Sequence, residues 1–312
     1  MSAEQFSTLD DPRRDQIVVV IPAFNEDRFI GSVVLKAKKF ASSVIVVDDG
    51  STDSTAYVAA ASGALVVHHE KNQGKAAALN TGFRLAREYH ARAVVVLDAD
   101  GQHLTDDIYK IVDPVLTGKA DIVIGSRYIL PTSHVPRHRI WGHWAFNLLT
   151  RIVSGVAVTD SQSGYRAFSP RALEAIQFHS NGFSVESEMQ FIAHENGLSL
   201  VEVPITIRYT EKPKRSVIGQ GLQVLNGILR LAGQYRPMLM LGLLGTVAIL
   251  SAFGMGILVI QRLEQTHELA TGYALICVLL FMLGSMMLST GFTLHSVRGL
   301  LIDMLQKKDR QS

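Results

Sequence analysis

The chain has 312 residues, 47% hydrophobic and 19% charged, a composition that suits a globular domain with a greasier part attached. Its net charge of +2 is too small to make nucleic acid the main partner. The one cysteine, Cys277, lies inside an apolar run, which excludes an intrachain disulfide framework and a cysteine-based metal site.

Met1 to Gln16 is polar and holds Asp10, Asp11, Arg13 and Arg14. It lacks the apolar core of a signal peptide, so the part it leads is expected in the cytosol. Ile17 to Ile21 is a β-branched run ended by Pro22. Asn25-Glu26-Asp27 can cap a helix with Ile30, Val33, Val34 and Ala37 on one side. Val44 to Val47 is the next strand and stops at Asp48-Asp49-Gly50-Ser51-Thr52-Asp53. Ser51 or Thr52 can cap an Ala-rich helix from about Asp53 to Ala61. Ala64 to Val67 reads as a third strand, Lys71 to Lys75 as a loop, and Ala76 to Tyr89 as a long helix. Val94 to Leu97 follows as a strand, Ile108 to Val115 as a helix, and Asp121 to Gly125 as a further strand. Strand and helix alternating in this way predict an α/β fold with a doubly wound, mostly parallel sheet.

From Arg139 to Val156 the apolar residues Ile140, Trp144, Leu148, Ile152 and Val156 recur every four positions. That stripe suits either a membrane surface or a helix packed on the sheet. Leu222, Leu225, Ile228, Leu229 and Ala232 form a second such face. Pro237 to Ile260 and Tyr273 to Leu294 contain no charged residue. A bilayer needs about 20 apolar residues, so the pair predicts a transmembrane hairpin; a helical hairpin buried in a soluble core is the alternative. Arg230 and Arg236 before it, and Arg298, Lys307, Lys308 and Arg310 after it, place both flanks in the cytosol. Small residues such as Gly242, Gly245, Gly254, Gly256, Gly284 and Ser285 let helices approach closely and point toward a homo-oligomer. The expected organisation is a tail over 1–16, an α/β domain over 17–216 that includes the stripe near 139–156, an interfacial helix over 217–236, and the hairpin with a basic tail over 237–312.

The chemistry gathers where strands end. Val94 to Leu97 stops at Asp98-Ala99-Asp100-Gly101-Gln102-His103. In open α/β sheets ligands bind at that edge. Two carboxylates this close repel unless a cation joins them, and Mg²⁺ or Mn²⁺ held partly by substrate phosphates suits such oxygen donors. An Asp-rich turn with no ligand is the plainer reading. Asn72-Gln73-Gly74-Lys75 opens a helix whose N–H groups and lysine suit a phosphate, or merely a cap.

In this order the pieces resemble the family 2 glycosyltransferases of the GT-A fold. They are Pro22-Ala23-Phe24-Asn25-Glu26, Val47-Asp48-Asp49-Gly50-Ser51, Asn72-Gln73-Gly74-Lys75 and Asp98-Ala99-Asp100-Gly101-Gln102. Gly125-Ser126-Arg127-Tyr128, Asp160 to Phe168 and Val203 to Tyr209 narrow the likeness to polyprenyl-phosphate sugar synthases, such as dolichyl-phosphate mannose and glucose synthases. The resemblance implies that Pro22, Phe24, Glu26, Val47 and Asp49 hold the nucleoside, with Lys75 and Arg208 also on the nucleotide sugar. It implies that Asp98, Ala99, Asp100 and Gln102 hold the diphosphate and a Mg²⁺ or Mn²⁺ ion. It places Arg127, Arg139 and Lys214 at the acceptor phosphate, with the loop Lys212 to Ser216 closing over the site. That loop departs from the family's usual Gly and Ser-Lys order.

The reaction so implied moves a sugar from a UDP- or GDP-sugar to a polyprenyl or dolichyl phosphate with inversion. Its acceptor is already largely an anion, since a phosphate monoester has a second pKa near 6. The site must therefore supply cations rather than a strong base. Arg127, Arg139, Arg166 and Arg208 are the candidates, and Asp160 is expected either to orient Arg166 or to be a turn carboxylate. Glu186 and Glu188 stand between rim acids and helix-surface acids. A processive polysaccharide synthase would carry a Gln-x-x-Arg-Trp motif, which Trp141 and Trp144 do not complete. A transferase to a small-molecule acceptor, or a tethered nucleotide-sugar binder without catalysis, are the other rivals.

Overall fold

The computed structural model describes residues 11–129, 158–178, 185–207 and 237–309, with Asn226 and Gly233. The chain divides into two compact units, Met1–Ile228 and Leu229–Ser312. The interfacial helix expected near 139–156 and the loop Lys212 to Ser216 lie outside the described residues, as does all of the one expected over 217–236 except Asn226 and Gly233.

The first unit is built on seven strands: β1 (Ile17–Ala23), β2 (Ser43–Asp48), β3 (Leu65–His68), β4 (Ala93–Val96), β5 (Ile122–Ser126), β6 (Arg166–Phe168) and β7 (Leu200–Pro204). They lie in the order β3-β2-β1-β4-β6-β5-β7. Pairing is parallel except at β6, which runs antiparallel to both β4 and β5. The helices are α1 (Asp27–Ala37), α2 (Thr55–Ala61), α3 (Lys75–Glu88), α4 (Ile108–Leu116), α5 (Pro170–Ala175) and α6 (Val185–Glu195).

The β-branched runs are buried on both faces, as a parallel sheet covered by helices requires. Along β1, Ile17, Val19 and Ile21 join a core layer with Ile30, Val33 and Val34 of α1 and Ile108 and Ile111 of α4. Val18 and Val20 point the other way, into a layer with Leu79 and Phe83 of α3 and Leu173, Val185 and Met189 from α5 and α6. This alternation makes three layers, helix on sheet on helix. Gly82 lets α3 sit hard on the sheet, because a Cβ there would fall 2.3 Å from Val20 Cγ1.

The mostly parallel α/β architecture is as expected, with two local corrections. α2 begins at Thr55 behind Ser54, with no side-chain cap from Ser51 or Thr52. Ser51 instead donates to Asp48, and its hydroxyl also accepts from Asn25 N–H at 2.9 Å. The short β6 was not foreseen: three residues of strand carry too little pattern to read.

The second unit is a hairpin of α7 (Pro237–Thr266) and α8 (Thr271–Asp309). The helices outrun the uncharged stretches, so Arg262 and Glu264 are helical and the turn shrinks to about His267 to Ala270. Both helices are long and apolar enough to cross a membrane. Their large apolar side chains face outward: Leu250 is 63% exposed and Leu279 65%. That contradicts the buried-hairpin alternative, since a core helix hides such residues. Gly245 and Gly284 let the backbones touch, each leaving only 2.7 Å between a notional Cβ and the other's carbonyl oxygen. Gly245 and Gly284 thus serve a contact within the chain, while a Cβ at Gly254 would meet nothing within 4 Å.

Candidate active site

The C-terminal ends of β1, β2 and β4 meet at one rim, as parallel pairing dictates. β2 ends in two buried aspartates. Asp48 binds His68 Nδ1 at 2.7 Å. Asp49 accepts from three donors: Gln73 N–H at 3.0 Å, Gly74 N–H at 2.7 Å and His69 Nδ1 at 2.7 Å. A carboxylate only accepts, so His69 carries its proton on Nδ1, and Nε2 meets the Thr81 hydroxyl at 3.0 Å. Asp49 therefore folds the loop that leads into α3 and sets Lys75 at the first position of that helix. Gly50, at φ +73°, packs on the same loop, where a Cβ would lie 2.6 Å from the carbonyl carbon of Lys71.

Lys75 Nζ sits between Asp98 Oδ1 and Glu186 Oε1, 2.7 Å from each. His103 Nε2 lies 3.3 Å from Asp98 Oδ2. Burial alone would push the Asp98 carboxyl up, but the Lys75 ammonium and His103 outweigh it and hold it well below the usual carboxylate range. Lys75 is raised in turn, because Asp98 and Glu186 outweigh its own desolvation. Asp100 goes the opposite way. Burial and the neighbouring Asp98 charge raise it, against a 3.0 Å hydrogen bond from Gln102 N–H.

Among the described residues no cluster of three or more His, Cys, Asp or Glu side chains is arranged to hold a metal by itself. By donor type Asp98, Asp100 and the Gln102 amide suit a hard divalent cation, while both Asp98 oxygens already face Lys75 and His103. All three offer oxygen, and such an ion would relieve the unfavourable charge on Asp100. So few protein donors leave room for substrate oxygens, the usual manner of Mg²⁺ beside phosphates.

Arg127 follows β5 and is clamped by Asp160. Its Nε and Nη2 donate to the two carboxylate oxygens at 2.6 Å each, and its backbone N–H adds a bond at 3.1 Å. Asp160 therefore orients Arg127, where the sequence suggested Arg166. Arg166 is fully buried and donates to the carbonyls of Ser163 at 2.8 Å and Ser161 at 2.9 Å. It braces the Ser161 to Ser163 turn from inside the protein, close enough to Glu186, Asp160 and Asp98 for their charges to act on it.

Pro22, Glu26 and Asp49 lie along the rim, and Phe24 is 43% exposed beside them. The side chains of Val47 and Ala99 are buried in the core layers. Arg139, Arg208 and Lys214 lie outside the described residues, but a β-bridge from His103 to Ile207 brings the residue before Arg208 to the carboxylate loop. Sequence reasoning missed His69, Glu202 and the role of His103. The first had a faint signal, a histidine pair at a strand's end, whereas Glu202 had none.

Residues 18–177 match Glycosyl transferase family 2. The chain belongs to this family. An uncharacterized Methanocaldococcus jannaschii protein is 38% identical to this family 2 transferase over 229 residues, 72% of this chain and 93% of its own. The UDP-N-acetylglucosamine–dolichyl-phosphate N-acetylglucosaminyltransferase of Methanococcus voltae is 40% identical over 147 residues, 46% of this chain and 59% of that one. The chain thus spans rather more than half of that named transferase. Among solved structures, glucosyl-3-phosphoglycerate synthase from Mycobacterium tuberculosis with Mn²⁺, UDP and phosphoglyceric acid aligns at TM-score 0.56. It shares 26% identity over 70% of this chain and 78% of that one.

Proposed function

We propose that this family 2 transferase moves a sugar from a UDP-sugar to a polyprenyl phosphate, inverting the anomeric carbon. The observation that carries this is a likeness at 40% identity to a dolichyl-phosphate transferase, in a chain that continues into two exposed apolar helices. An isoprenoid acceptor keeps its tail in lipid and its phosphate at the interface, so a membrane-anchored enzyme is the natural catalyst. In this reading the hairpin crosses the bilayer and the catalytic unit and both termini are cytosolic.

Pro22, Phe24, Glu26 and Asp49 form the nucleoside side of the site. Asp98, Asp100 and Gln102 would hold a Mg²⁺ or Mn²⁺ ion, which supplies Lewis-acid stabilisation of the departing diphosphate. Lys75 keeps Asp98 ionised and adds positive charge at the same place. Arg127 meets the acceptor phosphate through the guanidinium edge that Asp160 does not hold, its plane fixed by Asp160 before the anion arrives. No side chain need remove a proton from an acceptor that is already anionic.

A second reading, transfer to a water-soluble phosphorylated acid, is supported by the likeness to glucosyl-3-phosphoglycerate synthase. It leaves the exposed hairpin without a purpose. The experiment is to incubate membranes containing the protein with a panel of radiolabelled nucleotide sugars, polyprenyl phosphate and Mn²⁺, then extract with organic solvent. Label in the lipid phase is the expected result, abolished by a chelator and by Asp100→Asn. Label only in the aqueous phase, with phosphoglyceric acid present, favours the second reading, and label only in polymer a polysaccharide synthase.

A further inference from the structure

Thr159 and Asp160 form a turn that is held from another strand. Both backbone N–H groups donate to Glu202: Thr159 N–H lies 2.9 Å from Oε1 and 2.8 Å from Oε2, and Asp160 N–H lies 3.0 Å from Oε1. The Thr159 hydroxyl adds a bond to Oε1 at 3.0 Å. Glu202 stands on β7, in register with Ile124 of β5, the strand that runs into Arg127. The same turn presents Asp160, whose fully buried carboxylate takes three bonds from Arg127. The Thr159 hydroxyl also meets Ser126 Oγ at 2.6 Å, next to Arg127 in the chain.

We infer that Glu202 is a positioning residue for Arg127, acting through the Thr159–Asp160 turn. The physical reason is the planarity of both ends. A carboxylate and a guanidinium joined by two parallel bonds share one plane, so a tilt of Asp160 carries the guanidinium with it. The Asp160 carboxylate is fully buried and held at both oxygens, so its placement follows the backbone that Glu202 anchors. The β7 ladder uses main-chain groups alone, so the Glu202 side chain is not needed to hold its own strand.

The inference rests on the reading of Arg127 as the acceptor-phosphate residue, and the test separates the two. Full-length wild type, Glu202→Ala, Glu202→Gln, Arg127→Ala and the Arg127→Ala/Glu202→Ala double variant are purified in detergent. Affinity is measured for undecaprenyl phosphate in mixed micelles and, separately, for UDP with Mn²⁺. Glu202→Ala and Arg127→Ala are each expected to weaken undecaprenyl phosphate by about tenfold and UDP by less than about twofold. The double variant should bind undecaprenyl phosphate no worse than Arg127→Ala, because both changes remove one interaction. Glu202→Gln keeps a carbonyl acceptor for the turn and should recover most of the affinity. Losses that add in the double variant overturn the inference, as does an unchanged lipid-phosphate affinity in Glu202→Ala where Arg127→Ala lowers it. Equal loss of UDP binding in both Glu202 variants assigns a general scaffold role and also overturns it. An Arg127→Ala variant with normal undecaprenyl phosphate binding overturns the reading of Arg127 itself, and this inference with it.

Discussion

Gly164 has no room for a side chain, since a Cβ there would lie 2.2 Å from Asp98 Oδ2. The obstacle is a carboxylate already bound to Lys75 and His103, not the loose end of a flexible chain. Gly164→Ala should therefore cost about 1–3 kcal/mol in stability and lower transfer by about 100-fold through displacement of Asp98. Thermal unfolding and the lipid-transfer assay measure the two effects; full activity would show that Asp98 tolerates movement. Lys75 offers a second check at this scale. It bridges Asp98 to Glu186 directly, so Lys75→Met removes the cation between the two acids. Removing one partner of a buried pair costs about 3–5 kcal/mol, and Lys75 belongs at the low end because its side chain is 28% exposed. Adding Glu186→Gln should restore part of that stability but none of the activity; simple additivity of the two losses would argue that Glu186 is independent of Lys75.

The sheet is tied together at its far edge by one carboxylate. Asp121, just before β5, accepts from Ser199 N–H at 2.9 Å and Ser199 Oγ at 2.8 Å at the start of β7. It also accepts from Ser169 Oγ at 3.1 Å at the start of α5 and from Arg171 at 3.1 Å. Burial would raise its pKa, but the Ser199, Ser169 and Arg171 donors outweigh that and lower it. A folded value below the unfolded one means a contribution fully present above the ordinary carboxylate value near 4. It is lost as pH falls from there through the lowered folded value. Asp121→Asn should thus lower stability at pH 7 by about 1–2 kcal/mol. The deficit should shrink as pH falls below about 4. Denaturant titrations at several pH values read this; a deficit that is constant with pH would assign it to packing rather than charge.

At the scale of the molecule, the two units place their apolar residues differently. The first hides its apolar residues in two layers about a sheet, whereas the second turns Leu250, Leu279 and their neighbours outward. An exposed apolar surface of that extent is a liability in water and a requirement in lipid. The protein should therefore sediment with membranes after alkaline carbonate washing and come out only with detergent. Recovery in the carbonate supernatant would exclude a spanning hairpin. Within the hairpin, Gly284→Leu should force α7 and α8 apart, since even a Cβ would lie 2.7 Å from Gly245 O. A lower thermal midpoint in detergent, by a loss of about 1–3 kcal/mol, is the expected sign.

Local pattern alone determined a good deal about this protein. The Val- and Ile-rich runs and the two uncharged stretches are contiguous in the chain, so the mostly parallel α/β sheet and the apolar hairpin could be read directly. What the tertiary structure decided is partnership. Asp160 grips Arg127 rather than Arg166, Asp49 is bound by the Gln73-Gly74 loop and His69, and Lys75 bridges Asp98 to a glutamate more than a hundred residues away. An ion pair depends on which strands lie side by side, and the reversed β6 between β4 and β5 sets that order without leaving a readable period in three residues.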